Sequence, residues 1–75
     1  MITQAIVDDA MKLAHDEVAQ RYLNSTVVEQ SGMKYYNSEQ GSYYYRVKTL
    51  YRTESGAYGC VTTYYDLSNR LEVST

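Results

Sequence analysis

His15 and Cys60 are the only imidazole and the only thiol in the chain. Nucleophilic catalysis would need one of them beside a positioned base, and a metal centre would need a second His, a Cys or a convergent carboxylate. Asp16 and Glu17 follow His15 in sequence but point elsewhere around a helix, so His15 reads as a residue at the boundary of an apolar stripe. Cys60 lies between Gly59 and Val61 in a predicted strand. Its apolar neighbours give no reason for a lowered thiol pKa, and the expectation is a small buried hydrophobe. Asp8, Asp9, Asp16 and Glu17 could imitate a phosphate backbone, but they spread widely around the helix with Lys12 among them, which is the pattern of a solvated face. Gly41, Gly56 and Gly59 belong to no phosphate-binding pattern. No catalytic, cofactor-binding or metal-ligating set can be assembled, so the expectation is a protein that is not an enzyme.

The remaining chemistry is that of recognition. All ten aromatic residues are tyrosine, seven of them in the runs Tyr35-Tyr36, Tyr43-Tyr44-Tyr45 and Tyr64-Tyr65. Adjacent residues of a strand point to opposite faces of a sheet, so such runs give aromatic surface to both sides. In the same region Arg46, Lys48 and Arg52 alternate with Leu50 on the strand face that also carries Tyr44. Tyrosine and arginine are the residues that most often carry interface energy. The expected partner-binding residues are Tyr36, Tyr44, Arg46, Lys48, Arg52 and Tyr65, the remaining tyrosines filling the edge of a small core. Cations beside an aromatic ring suit an acidic protein surface. They also suit the phosphates and bases of single-stranded nucleic acid. A sequence pI near 5.2 weighs against nucleic acid, whose binders are usually strongly basic.

The elements that must position these residues are legible from two periodicities. From Thr3 to Leu23 the apolar spacing is helical, with Val7, Ala10, Met11, Ala14, Val18 and Tyr22 on one stripe and Ile6 and Leu13 on its flank. Thr3 is the expected N-cap. After Asn24-Ser25 the pattern turns to β. Strands are expected over 26–36, with Gly32 as a bulge or bend, and over 42–53, 57–65 and 70–73. Asn37 to Gly41 and Glu54-Ser55-Gly56 form turns, and Asp66 to Asn69 leads into the last strand. In the longest strand Tyr43, Tyr45, Val47, Thr49 and Tyr51 share the face expected to meet the helix. The fold class is α+β: one N-terminal amphipathic helix packed on an antiparallel three- to four-stranded meander sheet. The face taken by Cys60 depends on whether the second hairpin loop has two residues or three.

This order of elements resembles cystatin-type domains, in which an antiparallel sheet grips a long N-terminal helix. The local likeness is Gln40-Gly41-Ser42-Tyr43-Tyr44 opening a strand. The glutamine–variable–valine–variable–glycine inhibitory loop of that family is missing, since the residues here are Asn37-Ser38-Glu39-Gln40-Gly41. The resemblance therefore implies a layout and no protease-inhibitor function.

Seventy-five residues with a net charge of −2 make one small domain, with a core thin enough that a partner or a second copy would add useful burial. One cysteine, no signal-like N-terminus and no long apolar run point to a cytoplasmic protein without a membrane span. The resulting expectation is a small protein-binding module acting through a Tyr/Arg-rich sheet face. Its character is that of phage proteins that inhibit a host enzyme. The alternatives are a homodimer through the open face or an edge strand, and a single-stranded nucleic-acid binder.

Overall fold

A computed structural model describes residues 2–68 and the backbone of 71–74. It consists of α1 (Gln4–Arg21) followed by β1 (Thr26–Asn37), β2 (Ser42–Arg52), β3 (Tyr58–Asp66) and β4 (Leu71–Ser74). The strands form one antiparallel sheet in the order β1-β2-β3-β4, so each strand pairs with its neighbours in sequence. The expected α+β meander is present. Asn69 and Arg70, assigned from sequence to the last turn and the head of the last strand, lie outside the described residues.

The helix begins where Thr3 accepts a hydrogen bond from the Ile6 N–H at 3.3 Å, satisfying one of the orphan donors of the first turn. The pair from Lys12 to Asp16 (2.9 Å) lies on its outer side, whereas Glu17, 3.6 Å from Arg21, is largely buried and so departs from the expected solvated acidic face. The Asp16 carboxylate raises the Lys12 pKa. The helix ends one residue before Tyr22, whose carbonyl is taken by Ser25, while Asn24 turns the chain with φ 64°. The buried row is Ile6, Ala10, Ala14 and Val18. Ile6 is therefore core rather than flank, and Leu13 is exposed. A row spaced by fours follows one ridge of the helix, and that ridge is the one seated on the sheet. Alanines at its centre let the backbone come close enough for the Gln30 side-chain amide to donate to the Met11 carbonyl at 3.0 Å. The same amide lies 3.2 Å from Thr49 Oγ1 and so satisfies a fully buried hydroxyl.

The sheet face under the helix is the one the alternation predicts. Val47, Tyr45 and Tyr65 pack with Ile6, Ala10 and Ala14, and Tyr51 and Val61 pack with Val18, Tyr22 and Val27. The Tyr22 ring stacks on Tyr51 with centroids 4.4 Å apart. Gly32 is neither a bulge nor a bend: it pairs regularly with Val47, and the register shift falls at Val28. Its role is clearance, since a Cβ there would lie 2.5 Å from the Tyr45 ring. Gly59 makes the same room for Tyr51.

Two turns set the register. Asn37 Oδ1 accepts from the N–H groups of Glu39 and Gln40, and Gly41 completes that turn at φ 66°. In the second, Thr53 and Ala57 flank a three-residue loop closed by Gly56 at φ 92°. That loop places Cys60 opposite Leu50, on the face away from the helix, where it is exposed. The expectation of a buried thiol is overturned by loop length: one residue fewer would have exchanged the faces.

Candidate interaction surface

The helix covers one side of the sheet, and no described element covers the other. Cross-strand pairing decides what that open face carries. Arg46, Lys48, Leu50 and Arg52 come from β2, which is central, with Met33, Ser31, Glu29 and Thr26 opposite them on β1. On β3 their partners are Tyr64, Thr62, Cys60 and Tyr58. The open face is thus a cationic row between two strands of mixed aromatic and small polar residues.

Three tyrosines gather at one end. Tyr35 and Tyr64 meet at 5.5 Å between centroids, and Tyr44 meets Tyr64 edge-on at 6.1 Å. The Arg46 guanidinium leans across β1, 5.5 Å from the centre of the Tyr35 ring and with Nη2 3.0 Å from Met33 Sδ. At the other end Arg52 lies 6.0 Å from the Tyr58 ring, which is 64% exposed. Between them Lys48 and Arg46 border a recess of about 210 Å³ lined by Ser31, Gly32 and Met33. Among the described residues none of Arg46, Lys48 and Arg52 forms an ion pair. Their charges are left for solvent or for a partner.

The six residues expected to bind a partner therefore separate. Arg46, Lys48 and Arg52 share the open face, with Lys48 and Arg52 exposed and Arg46 half-buried. Tyr44 lies on that face but is only 8% exposed, held against Tyr64 with its hydroxyl donating to Gln40 Oε1 at 2.5 Å. It supports the surface and offers little area of its own. Tyr65 is wrongly placed by the sequence reading: it pairs with Tyr45 on the helix side and is 4% exposed in the core. Tyr64 is the member of that run on the open face. Tyr36 is 50% exposed, yet it pairs with Tyr43 under the helix side of the sheet, so it does not share a face with the cations.

Tyr35, Tyr58 and Met33 belong to the open face and were not singled out from sequence. The Asn37 to Gly41 turn was the available signal, because pairing Asn37 with Ser42 sets Tyr35 opposite Tyr44. His15 is exposed on the helix and Cys60 on the far side of the sheet, so the two cannot cooperate. Among the described residues no three His, Cys, Asp or Glu side chains converge, and no helix is long and apolar enough to cross a membrane. No protein-family model matches the chain, nor does any curated protein or solved structure compared with it.

Proposed function

We propose that this chain is a non-enzymatic binding module that presents the open sheet face to an acidic surface of another protein. The carrying observation is the row Arg46, Lys48 and Arg52, without an ion pair among the described residues and flanked by Tyr35, Tyr64 and Tyr58. Cations of one sign on a preformed sheet steer an oppositely charged partner, and the aromatic flanks supply apolar area at low entropic cost. Self-association through this face is disfavoured, because a second copy would set the same cationic row against itself. Glu29 and Asp66 moderate the charge at two corners and leave the centre positive. A module that occupies a partner's working surface in this way acts as an inhibitor, in keeping with its small size.

Immobilised chain, its Lys48→Glu/Arg52→Glu variant and an Asp9→Lys control would be exposed to an extract of the source cells. A protein retained by the wild type and the control, and lost by the charge-reversed face, is the expected result. Equal retention by all three would move the binding surface elsewhere. Capture abolished by nuclease would favour the single-stranded nucleic-acid alternative, whose affinity would fall steeply with salt.

A further inference from the structure

The sheet has a long free edge as well as an open face. β1 is the longest strand, 12 residues, and among the described residues it pairs only with β2. In an antiparallel ladder alternate residues of an edge strand turn their N–H and C=O groups outward, a ready template for another strand. Natural edges are usually blunted by shortness, proline, lysine, inward charges or bulges, and of these β1 has Lys34 and an irregularity at Val28. This chain contains no proline, and the one register shift lies near the start of β1, leaving Glu29 to Asn37 regular.

The charges around that regular stretch have a sign. Lys34 sits on the helix side of β1, exposed, with its ammonium 4.6 Å from the Tyr43 ring. Arg46 belongs to the next strand, but its guanidinium lies over Tyr35 and beside Met33, both on β1. Each face of the sheet along β1 therefore carries a cation, Lys34 over Tyr43 of β2 and Arg46 over Tyr35 of β1, while the acids near the strand are Glu29 at its other end and Glu39 in the turn that follows it. A second copy paired antiparallel along β1 would set its Glu29 end against Lys34 and Arg46, one acid for two cations on opposite faces, whereas an acidic segment supplies a carboxylate to each.

We propose that β1 accepts an extended acidic segment of the partner protein as a fifth strand, its backbone bonded to the free edge and its carboxylates meeting Lys34 on one face and Arg46 on the other. This rests on the reading of the open face as the surface for an acidic partner, and adds backbone pairing at its border.

The probe is a terminally blocked peptide of nine residues in which Glu-Glu and Val-Val pairs alternate, so that carboxylates face both sides of the added strand, matched in length to the nine regular residues Glu29 to Asn37. Amide hydrogen exchange followed by NMR should show new protection on alternate residues between Ser31 and Asn37, with β3 unchanged. Two versions N-methylated on alternate residues should differ, one keeping affinity and the other losing it. Lys34→Glu and Arg46→Glu should each weaken binding about tenfold. Equal binding by both methylated peptides, or no protection in β1, would overturn the proposal, as would protection of β1 that rises with protein concentration without peptide. If β1 is not protected while Lys48→Glu/Arg52→Glu still loses its partner, the edge proposal fails alone. If β1 is protected and that variant keeps its partner, the open-face reading fails instead.

Discussion

Gly32 and Tyr45 act as one unit. The tyrosine ring fills the space over the glycine, so a methyl group at position 32 would have to displace an aromatic packed against the core. Gly32→Ala should cost about 1–3 kcal/mol in chemical denaturation, and much of that cost should vanish in a Tyr45→Ala background. Tyr65 offers the contrast with its neighbour in sequence. Tyr65→Ala empties a core site and should cost about 3 kcal/mol, whereas Lys48→Ala and Arg52→Ala should stay within about 0.5 kcal/mol. A Tyr65→Ala protein as stable as the wild type would place that ring at the surface. Residue type alone could not have separated Tyr64 from Tyr65, because both have the same β propensity and the same amphipathic shape.

At the scale of elements, the helix and the central strand were readable and the hairpin registers were not. The spacing of Ala10, Ala14 and Val18 survives any rotation of a few tens of degrees, and the alternation of Tyr45, Val47 and Tyr51 admits one buried face. Register hangs on single residues: the three-residue loop ending at Gly56 decides that Cys60 faces outward with Leu50. The position of Val28 decides where the first strand slips. Helix-to-sheet docking also depends on a residue that periodicity does not mark. Gln30 is the polar link between the Met11 carbonyl and the Thr49 hydroxyl, and Gln30→Ala would strand that buried hydroxyl. A loss of about 1–3 kcal/mol is expected from thermal or denaturant unfolding, against a few tenths if the contact is incidental.

For the molecule as a whole, the dimensions of 40 × 25 × 17 Å are those of two layers, one helix over one sheet. One side of the sheet is spent on the core, and the other is left with cations, tyrosines and a thiol. The helix holds four of the nine acids against two cations, a net −2 equal to that of the whole chain, and the open face still shows a row of cations. That separation of charge was visible in the sequence as Arg46, Lys48 and Arg52 at alternate positions. Which tyrosines stood beside them was not, since that required the strand pairing. Cys60 gives the native sequence a reporter in the middle of the open face, opposite Leu50 and one pair from Lys48. The direct measurement is the alkylation rate of Cys60 in the folded chain, alone and bound to the protein it captures. The thiol should react readily when the chain is free and become strongly protected in the complex. Unchanged reactivity in a saturated complex would show that the partner sits elsewhere and that the open face is not the binding surface.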